Sequence, residues 1–578
     1  MNIKKYIKPV KVICLATCAL LLSSGCDDFL EEKDIPRLYG AFYTTKAGVI
    51  SGVDAAYSYM RFGVGGEFSN FLTEFGTDLT TGAEGGLSKS TNTYDATLSS
   101  STGNCYSLWE NHYKAINVTN EVLQSLPNVE MTEDERRRFE AEMRFFRGYF
   151  YFDLVQQFGS IPLVTIAEKK VRTDFKRALV ADIYRQIISD VRYAEANLKD
   201  VATGKEQGKA TTYAAAHLLA KIYLTRGSAV KDQRGQKTTD MDSTLYFAEK
   251  VIDSKKYTLV DNFADLWSMD NMGNKEVVFS LQFTKDLIYN GAGNKAHLYW
   301  CGPYEDVPGM VRDMENGRPY AHHRATSKAM IDLFDRKNDS RYHKSFKWVN
   351  YCNKEVKDAD GKVKLAVGDT AVYYSIHPPK SGRTYAYMYY EWDKKVETEN
   401  KHFPSLIKYF DNKRDEINRA EGGREWVRMR LGETYLLAAE AAGRNGDFTT
   451  AAKYINEVRK RAAWKDGETK MPQYWVEEGG DVDDKKSTFS KIEVSENDLK
   501  ISFVDFMLDE RGRELLGEYM RWEDLVRCEK LQEYVTKWNQ TASKNIKEHH
   551  KLRPIPQKHI DRLNPRGTNE EEQNNGYF

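Results

Sequence analysis

The sequence predicts a mainly α-helical fold, a helical scaffold carrying long irregular insertions and a few short strands. Apolar residues recur at helical spacing through long stretches of both halves of the 578-residue chain. Two pairs of such stretches read as helix–turn–helix units, the second closed by an Asn445-Gly446 turn. Between Asn262 and Arg424 that periodicity gives way to Gly, Pro, Asn and aromatic residues with short alternating runs.

Taken in order, the first helices are expected at Tyr106 to Leu126 and at Thr132 to Phe158. The second carries one stripe at Phe139, Met143, Phe146, Phe150 and Leu154 and another at Ala141, Phe145, Tyr149 and Phe152. Apolar cover on two sides makes it a central helix, ended by Gly159 and Pro162. Helices follow at Phe175 to Leu198, Thr211 to Arg226 and Met241 to Ser254, the last two as a pair. A second pair runs from Trp426 to Gly443, with Val427, Leu431, Tyr435, Ala438 and Ala442 on one face, through an Asn445-Gly446 turn. Asp447 then caps a helix carrying Phe448, Ala452, Ile455, Val458 and Ala462. Gly432, Ala439 and Gly443 are expected to let the two helices approach closely. Such pairs are similar to tetratricopeptide units, although about 200 residues separate them and the full consensus is absent. In the insertion, "EVVFSLQF" reads as a strand and Asp360-Gly361 as a hairpin turn. Gly63 to Ser101 and Asp466 to Asp498 read as loops.

The N-terminus carries Lys4, Lys5, Lys8 and Lys11 and then an apolar run from Val12 to Leu22. That run is about half the ~20 residues of a membrane span, so residues 1–25 are expected to be a cleaved export signal. Ser23, Ser24 and Gly25 before Cys26 resemble the lipobox of bacterial lipoproteins, which implies that Cys26 is lipidated. Asp27, Asp28, Glu31 and Glu32 resemble an acidic tag that routes a lipoprotein to the outside of the outer membrane. The chain has 85 basic and 85 acidic residues, and loss of the four signal lysines leaves the remainder at −4. No basic surplus points to nucleic acid.

After the signal and Cys26, four cysteines remain, Cys105, Cys301, Cys352 and Cys528, with no CxxC pair. A zinc site is not expected and disulfides cannot be assigned. GxxxxGK[ST], GxSxG and HExxH are absent from the sequence. His322-His323 and His549-His550 are expected to be exposed pairs rather than metal ligands. "DADG" at 358–361 reads as a turn, since no glutamate stands at position twelve of a calcium loop. Glu510 and Glu514 lie one helical turn apart, but Arg511 and Arg513 between them point to ion pairs rather than acid–base work. Trp109 and Tyr113 are expected to pack in the core. No cofactor or metal is expected.

Aromatic residues stand out in the composition, and an aromatic face beside hydrogen-bonding groups suits a ligand that offers flat C–H faces and a rim of hydroxyls. "KAHLYWCGPYED" supplies Tyr299, Trp300 and Tyr304 near Asn294, Glu305 and Asp306, and is the first candidate. "SKSTNTYDATLSSSTGN" adds Tyr94 with Asn92 and Asp95. "AVYYSIHPPKSGRTYAYMYYEW", from Ala371 to Trp392, is a third.

Five segments in order resemble the SusD/RagB family of outer-membrane nutrient-binding lipoproteins. They are the acid-following lipobox, "EAEMRFFRGYFYFDLVQQFGSIPLV" at 140–164, "RLGETYLLAAEAAGRNGDFTTAAKYINEVRKRA" at 430–462, "DERGRELLGEYMRWEDLVR" at 509–527 and the end "LRPIPQKHIDRLNPRGTNEEEQNNGYF". The last departs from the family at Asn575, where proline is frequent. The resemblance implies one SusD-like domain over 26–578 with a tetratricopeptide-like scaffold at about 40–260 and 424–530. A ligand-binding insertion at about 262–424 and an extended tail at 551–578 complete it. It further implies a non-enzymatic surface receptor, anchored in the outer membrane and facing the exterior, that binds oligosaccharide or polysaccharide. Family members bind glycan with loops from roughly the two tyrosine-bearing regions, and partner a SusC-like TonB-dependent transporter. A peptide receptor similar to RagB and a surface glycosidase are the alternatives.

Overall fold

The computed structural model describes residues 42–577 except 63, 65–70, 169, 203, 229–233, 292, 378–388, 391–401 and 471. Residues 1–25, Cys26 and much of the third tyrosine-rich stretch therefore lie outside the described residues. The main helices are α1 (Lys46–Phe62), α2 (Gly103–Ser125), α3 (Glu133–Phe158), α4 (Val180–Asn197), α5 (Thr212–Ser228) and α6 (Asp240–Asp253). After the insertion come α7 (Leu431–Arg444), α8 (Phe448–Ala462), α9 (Phe503–Leu515) and α10 (Arg521–Arg527).

Each of the first seven packs on the next, and the succession crosses the insertion because α6 lies against α7. The two helical hairpins separated in sequence are thus neighbours in one tetratricopeptide-like layer. Thr132 starts α3 through a capping box: its hydroxyl accepts from the Glu135 amide at 3.2 Å, and the Glu135 carboxylate accepts from the Thr132 amide at 3.2 Å. Both stripes of α3 are buried, as its double pattern predicts. Deleting one of these rings costs about 3–5 kcal/mol through lost transfer energy and the cavity left behind.

Two boundaries and one packing role differ from the expectation. Residues 175–179 are not helical, and α4 starts at Val180. The segment Trp426–Arg430 is a strand rather than the first turns of α7, because its backbone pairs antiparallel with Val277–Leu281, the expected "EVVFSLQF" strand. Over five residues, spacings of two and of 3.6 cannot be told apart by apolar content alone. Gly432 and Gly443 do not serve the contact of α7 with α8. A Cβ on Gly432 would meet Arg430, Glu276 and Glu514, and one on Gly443 would strike the Phe503 ring.

In the insertion, Val356–Lys357 and Val363–Leu365 form the expected hairpin. Asp358 accepts from the amides of Asp360 and Lys362, and Gly361 takes a φ of +80°, so "DADG" is a turn. The insertion is fastened to the helices by buried ion pairs. Arg341 donates to Asp339, Glu510 and Glu514; Arg430 to Glu276, Glu514 and Glu518; Arg461 to Glu276 and Glu514; Lys408 to Glu518. Cys105, Cys301, Cys352 and Cys528 are all free thiols. Among the described residues no helix is long and apolar enough to cross a membrane.

Candidate functional site

The two tyrosine-bearing regions singled out in the sequence do converge, though not as ligand contacts. Strand β1 (Thr80–Gly82) pairs antiparallel with β2 (His323–Ala325), setting Gly82 opposite His323. Beyond the ladder, the Ala83 amide donates to the His322 carbonyl at 2.9 Å and the Gly85 amide to the Ala321 carbonyl at 3.0 Å. Glycine is needed for this approach: a Cβ on Gly85 would lie 2.4 Å from the His322 ring, and one on Gly86 2.4 Å from the His322 carbonyl oxygen.

Asn92 is fully buried and holds this loop from behind. Its side-chain oxygen accepts from the Gly82 amide at 2.8 Å and the Thr81 hydroxyl at 3.2 Å, and its NH2 donates to the Leu87 carbonyl at 3.0 Å. From the other side, the Tyr299 carbonyl accepts from the His322 amide at 3.1 Å, and the Cys301 carbonyl accepts from the amides of Tyr320 and Ala321. The Tyr304 hydroxyl donates to the Gly317 carbonyl, stapling the turn that leads to Tyr320.

Tyr299, Trp300, Tyr304, Tyr94 and Asn92 are each no more than 3% exposed. Their ring faces are occupied by protein: Trp300 meets His323 edge-on, and Tyr94 packs against His550 with the Arg553 guanidinium 5.7 Å from its ring. Large rings near a loop base fill space under the loop, and this outweighed the sugar-facing role expected of them. The histidine pairs are corrected too. His322, His323 and His550 are buried, and His549 is half-buried.

What these residues support is Tyr320, a ring the sequence reading passed over. Tyr320 is 43% exposed. Its ring lies 4.2 Å from that of His322 at 33°, with Tyr299 edge-on at 5.8 Å beneath. Ala321 takes a φ of +51°, turning the chain sharply between the two rings. Phe71 extends the stack, 6.0 Å from His322, and carries Lys89 Nζ 5.2 Å over its own ring. Burial, with Lys89 nearby, pushes the His322 imidazole down to about 4, and burial holds His323 well below its usual range. Both are neutral plates at ordinary pH. Half-buried Lys89 stands beside them, on a loop that also carries exposed Glu84 and Ser88. The sequence shows the rings together as "YAHH", but the turn at Ala321 that stacks Tyr320 on His322 has no local signal in it.

The carboxylate pair Glu510 and Glu514 is fully buried. Burial alone would raise both carboxyls, but Arg459, Arg341 and Arg513 around Glu510, and Arg461, Arg430 and Arg341 around Glu514, hold them well below the usual carboxylate range. They cannot deliver a proton near neutral pH. No group of three or more potential metal ligands occurs among the described residues.

Residues 189–577 match the model of the SusD family, and residues 65–224 a model described as starch-binding associating with outer membrane. The SusD-like protein P25 of Formosa agariphila is 25% identical over 572 residues, covering 96% of this chain and 97% of that one. Among solved structures, a laminarin binding SusD-like protein superposes with a TM-score of 0.64 at 21% identity, over 92% of this chain and all of the other. Surface glycan-binding protein A from Bacteroides fluxus superposes with a TM-score of 0.63 at 19% identity, over 92% of this chain and 99% of the other. With a family model matched over more than half its length, and helices and loops arranged as in these structures, the chain belongs to the SusD family.

Proposed function

We propose that this protein captures oligosaccharide or polysaccharide at the Tyr320 platform and passes it to a SusC-like TonB-dependent transporter, without cleaving it. The observation that carries the reading is the exposed Tyr320 ring, backed by neutral His322, beside the loop that bears Glu84, Ser88 and Lys89. An aromatic face rimmed by donors and acceptors suits the C–H faces and hydroxyls of a pyranose. The two solved neighbours, a laminarin binding protein and a surface glycan-binding protein, support a glycan as the ligand class. Anchoring through Cys26 would keep the protein at the outer membrane, where its partner sits.

Isothermal calorimetry against laminarin and a panel of polysaccharides tests capture. Tyr320→Ala should weaken the best ligand about tenfold, the loss of roughly 1.4 kcal/mol of stacking and contact. Unchanged affinity places the site elsewhere, and binding of a peptide library but no glycan replaces the ligand class. Delivery is tested by recovering the tagged protein from mild-detergent membranes: a large outer-membrane barrel should accompany it, and its absence together with undiminished uptake after deletion refutes the partnership.

A further inference from the structure

We infer that a cleft on α2, sharing no residue with the Tyr320 platform, is a second carbohydrate subsite that takes a single pyranose ring. The cleft encloses about 270 Å³. One face of α2 supplies its floor, with Trp109, Tyr113, Ile116, Asn117 and Asn120 at spacings that share a side of the helix. Phe175, Glu168 and the segment at Pro162 and Val164 form one wall, and His559 from the C-terminal tail forms the other.

The aromatic part is held in place by its own hydrogen bonds. The Tyr113 hydroxyl donates to the Pro162 carbonyl at 2.7 Å, and the Asn120 amide to the Val164 carbonyl at 2.9 Å. Trp109 is wedged between Phe158 at 5.2 Å, Tyr113 at 5.0 Å and His559 at 4.8 Å. The rings cannot collapse into the space without breaking these contacts, so the cleft is preformed.

Two of its polar groups are left for a ligand. Among the described residues nothing hydrogen-bonds the ring nitrogens of His559 or the side-chain amide of Asn117, which stands exposed one turn beyond Tyr113. His559 is neutral, its pKa pushed down to about 4 by burial and then by Arg177 and Arg562, so it offers one donor and one acceptor. Glu168, already paired with Arg172, adds acceptor oxygens at the rim.

Size and charge then choose the ligand. The volume lies just below the usual range for drug-sized pockets of about 300–1,000 Å³, leaving room for one ring rather than a chain. An aromatic box can also hold a quaternary ammonium. Here Arg172 lies 4.8 Å over the Phe175 ring, Arg177 and Arg562 act on His559, and Lys558 sits nearby over Tyr106. The one charged side chain in the lining, Glu168, is already spent on Arg172, so a cation finds no free counter-charge, whereas a neutral ring with C–H faces and hydroxyls meets every group in the cleft.

Saturation-transfer NMR on the full chain in detergent tests this with methyl glucoside, methyl galactoside and methyl glucuronide as probes. Transfer to ring protons is expected for at least one probe in the native protein and in Tyr320→Ala. It should fall at least about fivefold in Asn117→Trp, which fills the mouth from an exposed position, and in Phe175→Ala, which removes a wall. No transfer from any probe, or transfer unchanged in both cleft variants, overturns the inference. Because the Tyr320 variant leaves this signal intact while weakening polysaccharide binding, failure here and failure of the capture reading are distinguishable.

Discussion

Arg341 donates to Glu510 across 3.0 Å although 169 residues separate them, and the same guanidinium reaches Glu514 at 3.0 Å. Insertion and helical layer are therefore joined by charge as well as by packing. Glu514 also accepts from Arg430 at 2.6 Å and from Arg461. Glu514→Gln removes the charge that three buried guanidiniums share, and should destabilise the protein by about 3–5 kcal/mol. Scanning calorimetry should show a clearly lower melting midpoint, and an unchanged midpoint would deny the cluster its role. The effect should shrink in acid: the depressed carboxyls of Glu510 and Glu514 contribute fully above the ordinary glutamate pKa, and that contribution is lost as pH falls toward their folded values.

Asn92 is a positioning residue for the platform. Asn92→Ala leaves the buried Gly82 amide and Leu87 carbonyl without their partner, at about 1–3 kcal/mol. It should also let the loop bearing Glu84, Ser88 and Lys89 drift from Tyr320. Polysaccharide affinity is expected to fall even though Asn92 is sealed from solvent, and Asn92→Asp, which keeps the acceptor for Gly82, should recover part of it. Lower stability with affinity intact would reduce Asn92 to a purely structural role.

Much of this architecture is legible in the sequence because helices repeat every few residues. The double stripe of α3, the capping Thr132 and the Asp447 that accepts from the Thr450 amide at 2.9 Å are all local signals. The stacking of α6 on α7 is not local, and the ion pairs that close over Gly432 could not be foreseen from helix spacing. At the site, the rings singled out in the sequence are buried beside the proposed platform. Tyr299, Trp300 and Tyr304 are as aromatic as Tyr320, and only the fold decides which ring lies beneath and which on top.

Cys26 precedes the described residues, and its lipidation is a proposal drawn from Ser23, Ser24 and Gly25 before it. Cys26→Ala should abolish acyl labelling and move the protein from the membrane to the soluble fraction, with polysaccharide affinity in solution unchanged. Persistent labelling and membrane retention would rule the anchor out.

Glu74 links pH to the platform's base. It is fully buried under the loop carrying β1, where its carboxylate accepts from the Tyr519 amide at 2.7 Å and the Met520 amide at 3.3 Å, and pairs with the Thr80 hydroxyl at 3.2 Å. Burial pushes its carboxyl up to about 7, only partly offset by those hydrogen bonds and by Arg521. The folded state therefore holds this proton more tightly than the unfolded chain, where a glutamate titrates near 4.5. Stability from this group is greatest below about 4.5 and is lost as pH rises toward about 7, by on the order of 3 kcal/mol. Glu523, likewise pushed up to about 7 by burial, has the same sign. Glu74→Gln keeps an acceptor for the Tyr519 amide and a donor for Thr80 but cannot ionise. Denaturant unfolding between pH 5 and 8 should show a shallower decline in the variant than in the native protein, with the variant more stable at the alkaline end. Parallel curves would mean that Glu74 is already ionised in the folded protein, with its backbone donors and Arg521 outweighing burial.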